Sequence, residues 1–526
     1  MGAWASYFLA AAYLHFRGAI RLEPLANLAL AALLAAPLPV RLAGRRGWRV
    51  ARHALAALAG VALLWHESFL PAPARAARLL ESTGGAISPA YVLRLVGGAV
   101  DLLDAAAVVA IVAACAVLAR RIAVAPLAFA AVLAVPIAGA SGGGAGIPGA
   151  LARFFDAEAR RAVRFPERPA GPELDVVVLH VCSMSWDDLR ASGLDKSPFL
   201  RQFDLVLGSF NSVSSYTNPS AIRLLRAACG QPRHADLYRP ARPECYLLDR
   251  LRRAGYATWS AIDNDAPSYR FVEDAEVHGH ADAPLPLAGL PVRQVDFDGT
   301  PIHDDGALLA RWLDARGRSP ARRAALYADL TTLHGGARRV DDERRWTRGA
   351  ADVYRESGER LFANVEAFLD ALRATGRRTL VVLVPEHGAA LAGTSFQPAD
   401  LREVPLPAIT TVPVALKLVG PGLPRVPARQ VTVSRPTSYL AIAHLLAAAL
   451  DAPDFRPEAI LAEDVVSRIP ETRFVAENEA AAVVLEAGEP FWRKGDGPFA
   501  PVPAGAAPQR PAVTAAGTSP APSPRP

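Results

Sequence analysis

A chain of 526 residues exceeds one compact unit, so at least two regions are expected. Apolar residues make up 51%, high for a wholly soluble enzyme, and part of the chain is assigned to lipid. A formal charge of only +6, carried almost entirely by Arg, excludes a nucleic-acid-binding footprint, and four Cys alone do not fix the redox compartment.

Apolar stretches recur at about 3–20, 24–43, 51–70, 100–119 and 122–139, each close to the ~20 residues that span a bilayer as helix. They predict an α-helical membrane domain of five helices over residues 1–140. No small-residue cleavage site with a polar follow-on appears after the first run, so it stays as an anchor. Arg41, Arg45, Arg46, Arg49 and Arg52 lie between the second and third runs, and Arg120 and Arg121 between the fourth and fifth. Basic residues in short loops stay cytoplasmic. Arg17 and Arg21 oppose this orientation but are outnumbered. Everything beyond residue 140 then lies outside the inner membrane, in the periplasm of a Gram-negative cell.

Residues 141–170 combine a Gly-rich linker with ALARFFDAEARRAVRF. Leu151, Phe154, Phe155, Ala159, Ala162 and Phe165 form one helical stripe there, with Arg160, Arg161 and Arg164 beside it. Two readings stand: an amphipathic helix flat on an anionic lipid surface, or a helix packed on its own domain.

From 171 to 502 short apolar runs alternate with helical segments. Strands are predicted at 175–181, 257–262, 324–330, 379–384 and 412–419, and helices near 305–315, 354–374 and 438–450. This alternation reads as an α/β domain, a sheet sandwiched by helices, closed by a β-rich piece over 483–502. Residues 503–526 form a Pro/Ala-rich tail that buries nothing and is expected to be disordered.

In such sheets ligands gather beyond the carboxyl ends of strands. Four polar groups fall there: Cys182, the pair Glu386 and His387, His334, and Thr217, which with Asn218 precedes Pro219 and a helix. Singly, each has a plain structural reading. Cys182 suits a buried small side chain, Glu386–His387 and His334 suit turns, and Asn218–Pro219 suits a helix cap followed by its first residue. Together, Cys, Glu, His and a hydroxyl form a ligand set for Zn²⁺. Coordination lowers the pKa of a bound oxygen, which turns Thr217 into a nucleophile, and a helix N-terminus favours a phosphoryl group placed on it. These features suit phosphoryl transfer.

The blocks VCSMSWDDL, FNSVSSYTNPSAIRLLRAACGQ, ECYLLDRL, VDFDGTPIHDD, VPEHGAAL and SYLAIAHLL follow the five apolar runs in this order. They closely resemble the BcsG family of cellulose biosynthesis proteins, the cellulose phosphoethanolamine transferases. More broadly, the outer domain is similar to membrane phosphoethanolamine transferases of the alkaline phosphatase and sulfatase superfamily, whose fold has a mixed sheet between helices. The resemblance implies transfer of phosphoethanolamine from phosphatidylethanolamine to Thr217, and then to 6-hydroxyls of cellulose. It implies Cys182, Thr217, Glu386 and His387 as ligands of one Zn²⁺, His334 as a catalytic residue, and Arg402 and Tyr216 as substrate-binding residues. Subunits of a cellulose synthase complex are the implied partners. On the outer side of the membrane it suggests a Cys229–Cys245 disulfide, with two free thiols as the alternative.

Two departures from the family pattern stand out. The nucleophile position carries Thr where the cellulose enzymes carry Ser, and Gly335 follows His334 where Asp is expected, which removes a partner of that histidine. A sulfatase is excluded, because Thr217-Asn218-Pro219-Ser220-Ala221 lacks the Cys or Ser and the Arg that formylglycine formation needs. The alternatives left open are a phosphoethanolamine or phosphoglycerol transferase acting on lipid A or another envelope glycan, and a non-catalytic scaffold for the synthase.

Overall fold

The computed structural model describes residues 4–36, 46–68, 70, 102–121, 123–140, 144–265, 270–342, 349–394 and 397–503. Arg41 and Arg45 of the second-to-third loop and the tail from residue 504 onward lie outside the described residues.

Helices Ala5–Phe16, Pro24–Ala35, Arg46–Glu67, Leu102–Leu118 and Ala125–Ala140 fall on the five apolar runs. They pack on one another through Phe8, Ala12, Leu30, Leu34, Ala56 and Val132. Leu55, Leu58, Val61, Val109 and Val117 point outward and are exposed. Among the described residues, no helix is long and apolar enough to cross a membrane. Four of these helices span 12, 12, 17 and 16 residues, and the longest, of 22 residues, opens with the polar turns RGWRVARH.

Helix Ile147–Glu158 decides between the two readings of the amphipathic stripe. Ile147, Leu151, Phe154 and Phe155 are buried against Val475, Ala482, Val484 and Phe499, so the stripe packs on its own domain rather than lying open to lipid. The helix ends before Ala159, and Ala162 instead forms an isolated bridge with Cys229.

The larger α/β domain is built on strands β1 (Asp175–Cys182), β2 (Leu205–Asn211), β3 (Tyr256–Ile262), β4 (Val292–Val295), β5 (Pro301–His303), β6 (Arg323–Leu330), β7 (Arg338–Arg339), β8 (Thr379–His387), β9 (Thr411–Val419) and β10 (Val431–Val433). Seven form a sheet in the order β10-β2-β9-β8-β1-β6-β3, while β5-β4-β7 make a small side sheet. Strand β9 runs antiparallel to both neighbours and the other pairings are parallel, so the sheet is mixed. Successive side chains of a strand face opposite sides. Val176, Val178, Leu380 and Val382 therefore pack on helices Thr217–Leu225, Leu247–Arg253 and Tyr439–Asp451. Val177, Leu179, Val381 and Leu383 pack on helices Asp305–Arg318 and Ala350–Ala374 through Leu308, Trp312, Leu361, Val365 and Phe368. Burial on both faces is why these strands read as unbroken apolar runs.

All five predicted strands are present. Strand β2 escaped the sequence pattern because Gly208 and Ser209 interrupt its apolar run, yet it sits between β10 and β9. A second sheet, antiparallel and four-stranded, is built from β11 (Val475–Glu477), β12 (Ala481–Glu486), β13 (Glu489–Lys494) and β14 (Ala500–Pro501).

At the amino end of β1, remote from the strand ends of interest, the buried Asp175 carboxylate accepts from Arg316 Nε at 2.9 Å, Arg377 Nε at 2.8 Å and the Ala324 amide at 2.9 Å. Asp175→Ala would leave the buried Arg316 guanidinium uncompensated. The expected loss is roughly 3–5 kcal/mol, read as a lowered thermal unfolding midpoint.

Candidate metal centre and nucleophile

Strands β1 and β8 run side by side and parallel, and their pairing slips at the carboxyl end. Val181 pairs with Pro385, but Cys182 pairs with His387, so Glu386 is an extra residue. Neighbouring residues of a regular strand would face opposite ways; the slip lets Glu386 and His387 both turn toward Cys182. The Cys182 Sγ, a Glu386 oxygen and a His387 nitrogen all lie within 4.8 Å of one another. His387 Nε2 stands 3.9 Å from Cys182 Sγ and 3.4 Å from Glu386 Oε2. Its Nδ1 is 2.9 Å from the Gly388 carbonyl; donating there leaves a lone pair on Nε2 facing the other two groups.

Thr217 closes the cluster, with Oγ1 3.5 Å from both Cys182 Sγ and His387 Nε2. It is the first residue of its helix, capped by Tyr216. The cap-and-first-residue reading of Asn218–Pro219 is thereby corrected: the helix starts earlier, Pro219 falls in its first turn, and the positive end of the helix dipole sits at Thr217 itself.

Cys182, Glu386 and His387 are fully buried, and neither Glu386 oxygen has a hydrogen-bond partner of ordinary geometry. Burial, then the nearby Asp329, pushes the Glu386 carboxyl well up; burial, then Glu386, pushes the Cys182 thiol well up. Burial, then Arg402, pushes the His387 imidazole well down. A thiol, a carboxyl with no hydrogen bond of ordinary geometry and a neutral imidazole converging with a hydroxyl are the donors a borderline-soft divalent cation takes in a tetrahedral site, and the residues fit Zn²⁺.

Beneath the cluster, His180 Nδ1 lies 2.8 Å from Asp329 Oδ2 and 3.4 Å from Glu386 Oε1, and Tyr327 donates to Asp329 Oδ2 at 3.0 Å. These three residues escaped the sequence reading, although His180 and Asp329 stand out as polar breaks in the strands DVVVLHV and AALYADL.

His334 follows β6. The partner expected to be missing beside it is present from elsewhere: Asp296 Oδ1 lies 3.0 Å from His334 Nδ1. Asp296 belongs to the VDFDG segment beyond β4, so a long-range contact replaces the missing neighbour in sequence. Arg402 also reaches the site, with Nη1 3.3 Å from Ser183 Oγ and 3.2 Å from His387 Nδ1. Its guanidinium lies 6.0 Å from the Tyr216 ring centroid, and the Tyr216 hydroxyl donates to Glu403 Oε1 at 2.6 Å. Every residue singled out from the sequence as ligand, nucleophile or substrate contact is thus brought to one place.

Cys229 and Cys245 form a disulfide, with Cα atoms 4.9 Å apart. It ties the turn behind the Thr217 helix to the segment before helix Leu247–Arg253. Replacing both by serine is expected to lower stability by on the order of 3 kcal/mol, from loop-closure entropy over about 17 residues. Thermal unfolding with and without reductant checks this, since reductant should destabilise the wild type alone.

Comparison with known proteins decides the family. The model of the BcsG C-terminal domain matches residues 145–499 and that of the BcsG N-terminal domain matches residues 4–137. The chain belongs to the BcsG family of cellulose biosynthesis proteins. It is 31% identical over 551 residues to BcsG of Escherichia coli K12, covering 96% of each chain, and 32% identical over 555 residues to BcsG of Salmonella typhimurium LT2, again covering 96% of each. Among solved structures it is similar to the periplasmic domain of EptC from Escherichia coli, at 14% identity and TM-score 0.44, covering 60% of this chain and 93% of that one. That domain has also been solved in complex with Zn. It is also similar to the integral membrane lipooligosaccharide phosphoethanolamine transferase A of Neisseria meningitidis, at 12% identity and TM-score 0.39, covering 84% of this chain and 95% of that one.

Proposed function

We propose that this BcsG-family protein is a phosphoethanolamine transferase. It takes the group from phosphatidylethanolamine onto Thr217 and passes it to 6-hydroxyls of cellulose. The observation that carries the reading is the convergence of the Thr217 hydroxyl with Cys182, Glu386 and His387 at the start of a helix. The name shared by its relatives supports cellulose as the acceptor.

Cys182, Glu386, His387 and Thr217 would hold one Zn²⁺, which when bound acidifies the Thr217 hydroxyl and offsets phosphoryl charge. In the first half-reaction the Thr217 oxygen, its proton already lost to solvent, attacks phosphorus, and the bond from phosphorus to the diacylglycerol oxygen breaks. His334 Nε2 hands a proton to the departing oxygen, with Asp296 holding Nδ1 and fixing the ring's aim. Arg402 and the helix N-terminus face the negative oxygens. In the second half-reaction the glucan 6-hydroxyl gives its proton back to His334 and attacks phosphorus. The Thr217–phosphorus bond breaks, and the free threonine returns.

The outward apolar side chains of the N-terminal helices, such as Leu55, Leu58, Val61, Val109 and Val117, support placement of this region in the inner membrane. The catalytic domain is then periplasmic, beside its lipid donor, and within reach of cellulose synthase subunits. Mass spectrometry of the full-length protein incubated with phosphatidylethanolamine should find a phosphoethanolamine adduct on Thr217. An unmodified Thr217, with the lipid consumed or not, overturns the reading.

A further inference from the structure

Ser183 follows Cys182 in the block VCSMSWDDL, is fully buried, and takes no part in the transfer chemistry proposed above. A hydroxyl in that setting needs a reason. Its Oγ lies 3.0 Å from Cys182 Sγ and 3.3 Å from Arg402 Nη1. The main chain on either side of it is also held. The Cys182 carbonyl accepts from the amide of Leu333, one residue before His334, at 3.2 Å, and the Ser183 carbonyl accepts from the Tyr354 hydroxyl at 2.7 Å. Leu333 follows β6 and Tyr354 belongs to helix Ala350–Ala374, so both anchors come from distant parts of the chain.

The direction of the two side-chain hydrogen bonds follows from what each partner can do. A guanidinium only donates, so the Ser183 oxygen accepts from Arg402. Its one hydrogen is left for the sulfur. A thiolate bound to a cation only accepts, which makes that hydrogen bond charge-assisted. Thr217 Oγ1 and His387 Nε2 also stand near the sulfur, at 3.5 and 3.9 Å, but as co-ligands both turn lone pairs to the shared cation. Resting on the metal site proposed above, we infer that Ser183 is a positioning residue of that site, whose hydroxyl donates to the Cys182 sulfur and sets both the aim and the donor strength of the thiolate. Sulfur gives more charge to a cation than a carboxylate oxygen does, and a hydrogen bond to the sulfur takes part of that charge back. More of the cation's pull is then left for the Thr217 oxygen.

The test loads the full-length protein with Co²⁺ in place of Zn²⁺, because a thiolate bound to Co²⁺ gives a charge-transfer band in the near ultraviolet. The wild type is expected to show this band and Cys182→Ala to lack it. Ser183→Ala and Ser183→Gly both delete the hydroxyl; each should keep the band but move it to longer wavelength, since a sulfur without its hydrogen bond gives up charge more readily. Zn²⁺ affinity, from competition with a chelator, should fall by roughly 10- to 100-fold in the same two variants. Ser183→Thr keeps the hydroxyl and should hold the wild-type band. Ser185→Ala is the control for the segment: it removes a hydroxyl that donates to Asp188 at 2.7 Å, and should leave the band unmoved. The inference is overturned if the alanine and glycine variants keep the wild-type band or affinity, or if Ser183→Thr behaves as they do. It is equally overturned if Ser185→Ala moves the band as far, which would mark a general loosening of the segment. Each of these results leaves the Cys182 ligand and the transfer reaction standing. A wild type without the band, or one matched by Cys182→Ala, removes the metal site and this role together.

Discussion

Thr217→Ala is expected to remove phosphoethanolamine transfer, by roughly 10⁴-fold or more, while Thr217→Ser keeps most of it. The alanine variant deletes the oxygen that stands 3.5 Å from both Cys182 Sγ and His387 Nε2, at the positive end of the helix it begins. The serine variant loses only a methyl group. Ser183, the nearest other hydroxyl to the thiol at 3.0 Å, cannot substitute, because it is fully buried whereas Thr217 is partly open to a lipid headgroup. Solid-state NMR of the exopolysaccharide made by cells carrying each variant reads the outcome. If glucan modification survives in T217A cells, the protein acts as a scaffold and another enzyme supplies the chemistry.

Removing a ligand of the proposed zinc site should be nearly as severe. Cys182→Ala or Glu386→Gln is expected to weaken metal binding by well over the roughly 10- to 100-fold typical of losing an outer hydrogen-bond partner, and to abolish Thr217 labelling. Metal content by plasma mass spectrometry, and competition with a chelator, measure the first effect without any turnover. The sign of the pH dependence follows from the environment. Burial raises both the Cys182 thiol and the Glu386 carboxyl, so the metal-free protein holds protons that a cation must displace. Affinity should therefore fall as pH is lowered. A protein that binds Zn²⁺ equally well with and without Cys182 and Glu386 would rule out this site.

Much of the architecture was legible because buried parallel strands leave unbroken apolar runs. The stretches ending at Cys182, Leu330 and His387 announce themselves in that way, and Cys182 and the Glu386–His387 pair stand out as the polar ends of two of them. The helix over 147–158 was only half legible. Its stripe of Leu and Phe has one periodicity whether it meets lipid or a protein sheet, and only the packing on Val475, Ala482 and Val484 distinguishes them. Strand β2 was hidden by Gly208, and the start of the Thr217 helix was displaced by reading Asn218 and Pro219 through local capping rules alone.

By itself the sequence determined which residue types were available for chemistry: the Cys182 thiol, the Glu386–His387 pair and the Thr217 hydroxyl, each at the end of an element. It also determined the alternation that makes the sheet, since hydrophobic period is a local property of the chain. What only the tertiary structure decided is the meeting of parts distant in sequence. The slip between Val181 and Cys182 that turns Glu386 and His387 the same way, the Asp296 that reaches His334, and the Arg402 that reaches Ser183 are all contacts across many residues. Pair geometry of this kind depends on strand register and loop path, which no local pattern encodes.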